Sequence, residues 1–288
     1  MPATSLPSHT TGFFLLLMGV FLPSLLQGAP RKKPVARPLQ VKIVEKAGMM
    51  RLSSGFYSPL YAKKKTRIRV RSFWLDKTAV TNQQFLAFVR KHPRWRRSRV
   101  SPLFADKSYL KHWASDLSFG KYAARLAKAP VTHVSWFPAR YYCRSQGKRL
   151  PTLAEWEYAG AASKTRIYAQ KNPAYVQRIL QWYSRPTPNF LPPVGRGFRN
   201  IWGVYELHGL IWEWVSDFNT ALVTGDSRGD SSVNKQLFCG ASAIGARDFS
   251  NYASFMRYAY RSSLKARYGT ANLGFRCARS TQPQEKQR

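Results

Sequence analysis

Acidic side chains are scarce in this sequence. Its 288 residues include 13 Asp and Glu against 47 Lys and Arg, a formal charge of +34. Such a field attracts anions: phosphate, nucleic acid, acidic lipid headgroups or acidic polysaccharide. In a chain that avoids carboxylates, the survivors have tasks, such as helix capping, ion pairing, metal binding or chemistry. Five of them fall in two Trp-rich segments, LPTLAEWEYAG (150–160) and NIWGVYELHGLIWEWVSDF (200–218): Glu155, Glu157, Glu206, Glu213 and Asp217.

Other absences narrow the function. The five histidines (His9, His92, His112, His133, His208) show no paired metal-ligand spacing. There is no Gly-rich phosphate loop and no nucleophile motif. The basic clusters, Arg31 to Lys33, Lys63 to Arg71 and Arg90 to Arg99, are dispersed and carry no nucleic-acid motif, which argues against a specific nucleic-acid partner. They describe a generally basic surface suited to an anionic envelope. Only three cysteines occur, Cys143, Cys239 and Cys277. In an exported chain two would pair and one stay free, and spacing alone does not say which.

Enough is present for a sizeable core, with 44% hydrophobic and 14% aromatic residues. Residues 12–26 (GFFLLLMGVFLPSLL) form an uncharged run of signal-peptide length, followed by small residues at Gln27-Gly28-Ala29. The expectation is a signal peptide over 1–28 and a periplasmic or secreted protein. An uncleaved membrane anchor is the alternative, because the leader lacks Lys and Arg. A basic, Pro-rich linker (29–40), one domain (41–279) and a polar tail (280–288) complete the plan.

Within the domain, VKIVEKAGMMRL reads as a starting strand and RIRVRSFWLD as an alternating one with Ile68, Val70 and Phe73. Thr81 and Gln84 have capping-box spacing ahead of the stripe Phe85, Phe88 and Val89. A second helix follows Ser135-Trp136, with Ala139, Tyr142 and Cys143 on one face and Gly147 at its end. A third begins at Thr152, where Glu155 completes another capping box; Glu157 is expected to pair with an Arg. The stretch from His92 to Lys128 reads as irregular and exposed, and Asn172 to Arg196 as Pro- and Tyr-rich without regular structure. Short aromatic strands and Gly turns are expected after Asn200, and ANLGFRCAR reads as a last buried strand. The fold class is an irregular α+β domain with little regular secondary structure.

Four segments now carry a resemblance: FWLDKTAVTNQQFLAFV, PVTHVSWFPARYYCRSQGKRLPTLAEWEYAG, IWGVYELHGLIWEWVSDF and YRSSLKARYGTANLGFRCAR. In order and spacing they resemble the formylglycine-generating enzyme (sulfatase-modifying factor) family, over about Ser72 to Arg279. The resemblance implies a variant of the C-type-lectin-like fold. It implies several activities: copper-dependent oxidation of a sulfatase cysteine, iron-dependent sulfoxide synthesis, roles beside siderophore (pyoverdine) maturation or copper nitrite reductase, and ligand binding.

The family's oxidases carry two cysteines between a GGS-like turn and an RYR-like segment, and two soft thiolates suit Cu(I). Here the turn reads Cys239-Gly240-Ala241-Ser242, and Phe255 and Met256 stand where the second cysteine would fall. A bis-thiolate copper site is therefore not expected. The resemblance pairs Cys143 with Cys277. It places one structural calcium at Glu206, Glu213 and the carbonyls of Gly209 and Ile211, with pairing of Glu213 to an Arg as the alternative. It puts Ser242, Asn272, Arg257 and Trp212 in a substrate cleft. Cys239 is a reactive thiol or a small buried hydrophobe. The implied function is an exported accessory factor in oxidative maturation, acting on a protein or peptide-like substrate such as a copper nitrite reductase or siderophore precursor. The alternative is a non-catalytic module that binds an anionic partner.

Overall fold

A computed structural model describes residues 41–59, 67–219 and 249–281. The apolar run 12–26, the linker, Cys239 and Ser242 lie outside the described residues. Among the described residues no helix is long and apolar enough to cross a membrane.

The chain is a mixed α/β fold with short elements. Strands β1 (Glu45–Lys46) and β2 (Met49–Leu52) form a hairpin rather than one strand. Ala47 and Gly48 make its two-residue turn with φ of 50° and 71°, the left-handed pair that matches strand twist. RIRVRSFWLD likewise divides. β4 (Ile68–Val70) pairs with β3 (Gly55–Tyr57), whereas β5 (Phe73–Asp76) pairs with β2 and with β8 (Ala278–Ser280). The larger sheet is antiparallel, in the order β1-β2-β5-β8. Phe73 and Leu75 of β5 are buried and Trp74 and Asp76 partly exposed, the period-two pattern of a sheet with one face on the core. Pairing reaches Ser280, and Thr281 donates to the Ser72 carbonyl, so the domain runs two residues past Arg279.

Helix α1 (Asn82–Lys91) begins at the Thr81/Gln84 capping box. Its Phe85 lies among Tyr142, Trp113 and Phe275 at the centre of the core. The stretch 92–128 is irregular apart from short helices, including α2 (Ala123–Leu126). It is not simply exposed: Trp95, Tyr109, Leu110, Trp113 and Phe119 are core residues. The basic residues between them hide that contribution in the sequence. α3 (Trp136–Ser145) buries Ala139, Tyr142 and Cys143 as expected, and Gly147 follows it at φ 63°. α4 (Leu153–Gly160) carries the second capping box, and Arg149 forks onto the capping Glu155 at 2.7 Å on both oxygens. Cys143 and Cys277 are joined in a disulfide that ties α3 to the segment entering β8, with Cα atoms 5.5 Å apart.

Two helices depart from the sequence reading. α5 (Pro173–Tyr183) lies where no regular structure was expected, with Asn172 as its cap and Pro173 in its first turn. α6 (Phe249–Ser263) is the longest helix described, where short strands and turns were expected. Its buried stripe is Ala253, Arg257 and Arg261, and α5 packs against it.

Candidate functional site

The Trp-rich segment and the terminal NLGFRC segment meet in a two-residue parallel ladder, β6 (Trp212–Glu213) with β7 (Leu273–Gly274). The Trp212 amide donates to the Asn272 carbonyl at 2.7 Å and the Trp214 amide to that of Gly274 at 2.9 Å. Only glycine fits at 274, because a Cβ there would collide with the Val131 carbonyl oxygen.

Trp212 is half-buried and forms a platform. Tyr260 of α6 stacks on it at 4.3 Å, Tyr183 of α5 at 5.0 Å, and Trp182 lies tilted at 5.2 Å. Asn272 is held beside it, its Oδ1 accepting from the Thr270 hydroxyl at 3.0 Å. The third expected cleft residue, Arg257, reaches the platform through Tyr183, whose phenol accepts from Nη1 at 3.3 Å. Trp212, Asn272 and Arg257 therefore lie around one platform, and Ser242, the fourth expected cleft residue, lies outside the described residues.

Arg257 has little freedom there. Its Nε and Nη2 bind Glu157 at 2.9–3.1 Å, Nη1 also donates to the Ala253 carbonyl, and Nη2 to Ser254. A guanidinium has five N–H donors, and protein acceptors take all of them. Arg261 binds the other side of Glu157 at 2.6 Å and lies over the Trp156 ring at 4.6 Å. Burial pushes the Glu157 carboxyl up, but the two guanidiniums overcome it and hold it down at about 2. Glu157 thus pairs with arginine, as expected.

Glu206 and Glu213 face different partners. Glu213 has no exposed side-chain surface. It accepts Nε and Nη2 of Arg276 at 2.8–3.0 Å and the Trp156 indole N–H at 2.8 Å. That is the ion pair weighed against calcium. Glu206 sits at φ 58°, costly for a residue with a Cβ, and its carboxylate accepts the amides of Gly195, Arg196 and Gly197 at 2.6–2.9 Å. Gly209, at φ 121°, and Ile211 lie in the turn between them. Among the described residues no group of three or more His, Cys, Asp or Glu is placed to hold a metal.

A cavity of about 580 Å3 opens beside the network, lined by Ser254, Tyr258 and Arg261 of α6, Glu157 of α4, Tyr57 of β3 and Tyr168. Sequence reasoning missed Tyr57, Tyr168 and Tyr258. Tyr258 carried its signal only as a residue four after Ser254 and three before Arg261 on an unrecognised helix, Tyr57 as one aromatic on a two-stranded ribbon, and Tyr168, in an irregular segment, carried none.

Comparison with known proteins now decides the relationship. Residues 28–281 match the model of the sulfatase-modifying factor enzyme 1-like domain. The chain belongs to the sulfatase-modifying factor family. The formylglycine-generating enzyme of Streptomyces coelicolor is 32% identical over 251 residues, covering 73% of this chain and 79% of that protein. The inactive C-alpha-formylglycine-generating enzyme 2 of Bos taurus is 28% identical over 256 residues, covering 73% and 78%. The crystal structure of CarF aligns with a TM-score of 0.45 at 16% identity, over 81% of this chain and 98% of that one. This sulfatase-modifying factor lacks the family's cysteine pair. With Cys143 and Cys277 bonded to each other, one cysteine, Cys239, is left of three, so the donors do not fit a bis-thiolate copper site.

Proposed function

We propose that this protein is an exported accessory factor that holds a peptide-like segment of a client during its maturation, on the C-type-lectin-like scaffold the family implies. It does not generate formylglycine by two-cysteine copper chemistry. The single observation that carries this reading is the Cys143–Cys277 bond, which leaves one cysteine where the chemistry needs two. The Trp212 platform and Asn272 would contact the client, with Ser242 completing the cleft. The clients first to be tried are a copper nitrite reductase and a siderophore precursor.

The test incubates the mature protein with a Cys-containing sulfatase peptide, copper and oxygen. No aldehyde product is expected by mass spectrometry, and formylglycine would overturn the reading. Peptide binding followed by Trp fluorescence should weaken about tenfold in Trp212→Ala, the loss of roughly 1.4 kcal/mol of aromatic contact. Unchanged affinity would remove the platform from the site.

A second reading is favoured by Arg257, whose five donors are consumed within the protein: a binding module with no turnover at all. Oxygen uptake with a bound client separates the two: uptake above the client-free rate favours a maturation step with turnover, and uptake equal to it leaves pure binding.

The implied calcium enters as part of the proposal. At Glu213 it would share the carboxylate with Arg276, so its effect is expected to be modest. Calcium raising the melting temperature, and a chelator lowering it, supports the site at Glu206, Gly209, Ile211 and Glu213. Identical melts leave Arg276 as the counter-ion of Glu213.

A further inference from the structure

A second concave site lies where the end of α3 meets the edge strand β8, apart from the Trp212 platform. Its volume is about 680 Å3. Five cations line it: Arg140 and Arg144 from α3, Lys148 and Arg149 from the turn beyond, and Arg279 from β8. Among the described residues no carboxylate lines it, whereas Ser216, Ser280 and Thr281 contribute hydroxyls.

The cations differ in how they are held. Lys148 binds Asp76 at 2.6 Å, and Arg149 forks onto Glu155 and donates to Ser280 Oγ at 3.2–3.3 Å. Arg140 lies over the Trp136 ring at 5.0 Å, which orients it without neutralising it. Among the described residues, Arg140, Arg144 and Arg279 make no salt bridge. The Lys148 and Arg149 wall is thus held by Asp76 and Glu155 behind it, and among the described residues three guanidiniums without a salt bridge line the same groove. Fixed walls lower the ordering cost of binding. Planar guanidiniums match the bidentate geometry of a tetrahedral oxyanion better than ammonium groups do. Among the described residues no aromatic ring lines the groove.

We infer that this groove is a binding site for a phosphate- or sulfate-bearing ligand, with Arg140, Arg144 and Arg279 as its charge donors. The volume exceeds that of a bare oxyanion and lies in the range of small-molecule sites, which leaves room for the group that carries the oxyanion. The site stands independently of the client-binding reading, since none of its residues belongs to the platform.

The test uses the full mature protein and three probes, inorganic phosphate, pyrophosphate and sulfate, with chloride at matched ionic strength as the reference. Saturable binding by calorimetry and a rise in melting temperature are expected, with pyrophosphate tightest. The double variant Arg144→Ala/Arg279→Ala should weaken pyrophosphate at least tenfold. The variant Arg90→Ala/Lys91→Ala removes the same charge from the exposed end of α1 and should change binding less than twofold. Equal losses in both variants, or a chloride response equal to that of phosphate, would reduce the effect to general screening and overturn the site. If the double variant fails to fold, the charge-keeping Arg144→Lys/Arg279→Lys form decides. It should retain screening and lose the preference for pyrophosphate over chloride, and an unchanged preference overturns the proposal. Phosphate and sulfate affinities, compared directly, separate the two ligand sources.

Discussion

Replacing Glu157 by Gln will destabilise the fold by about 3–5 kcal/mol, the usual cost of leaving a buried charge unpaired. Two guanidiniums depend on this one carboxylate. Arg257 and Arg261 have 7% and 4% of their side chains exposed, and both bind Glu157 within 3.1 Å. A Gln oxygen accepts hydrogen bonds but carries no charge to balance either cation. Chemical denaturation of Glu157→Gln beside the parent protein measures the loss; a change below about 1 kcal/mol would show that the network carries little weight. The triple variant Glu157→Met/Arg257→Leu/Arg261→Met separates charge from space. Removing all three charges should restore much of what the single substitution loses, because well-packed apolar replacements of buried ionic clusters are often neutral. α5 and α6 meet at this network, so the single variant should also weaken ligand binding at the Trp212 platform.

The same group contributes to the acid sensitivity of the protein. Its carboxyl titrates at about 2 when folded, against an ordinary 4.5. A depressed carboxylate contributes stability that is fully present above the unfolded value and is lost as pH falls from about 4.5 towards 2, here on the order of 3 kcal/mol. His112 and His133 act earlier. Burial drives both down, with the neighbouring His133 and Arg97 adding to it for His112 and Lys111 for His133, to about 3 and about 4. They stay neutral in the fold while the unfolded chain takes up protons below 6.5, so their contribution falls as pH drops from 6.5. Stability against pH should therefore decline in two stages, and Glu157→Gln should shrink only the lower one. A single stage in the parent protein would refute the assignment.

The legible parts of the sequence were those in which one local rule sufficed. Both capping boxes needed only three-residue spacing and a following apolar stripe. The pairing of Glu157 followed from the scarcity of acids among so many arginines. α6 was illegible for a physical reason: its buried stripe is Ala253, Arg257 and Arg261, and two of three positions are the least apolar residues available. A periodicity counted in apolar residues cannot register a face that is buried through an ion pair with another helix. α5 was readable and misjudged. The stretch reads as Pro- and Tyr-rich, yet Pro173 after Asn172 occupies the first turn, and Tyr175, Val176 and Ile179 then form a stripe. The strands failed differently. RIRVRSFWLD and ANLGFRCAR each read as one strand and each contributes to two sheets. The break falls at Arg71-Ser72 in one and between Gly274 and Ala278 in the other, set by tertiary partners rather than by the alternation itself. That Arg257 is fully engaged was not legible, because it follows from the positions of Glu157, Tyr183 and Ala253 in the fold.

The double variant Cys143→Ala/Cys277→Ala will lose roughly 4–5 kcal/mol. The bond closes a loop between residues 134 apart, and loop-closure entropy in the unfolded chain scales with the logarithm of that length. For a domain of this size the melting temperature should fall by roughly 8–20 °C. Almost everything proposed for function lies inside the loop: α4, α5, the Trp212 platform and α6. The entropic account makes a further demand. If the bond acts through the unfolded state, the variant's denatured chain is more expanded and its denaturant m-value rises, while binding at the platform persists at temperatures where the fold survives. A lost midpoint with an unchanged m-value would instead place the effect in native packing around the buried sulfurs. An unchanged midpoint, or both thiols free in the mature oxidised protein, would refute the staple and reopen Cys277 as a ligand for chemistry. The outcome therefore bears on function as well as stability, because the reading of this chain as a binding factor rests on Cys239 standing alone.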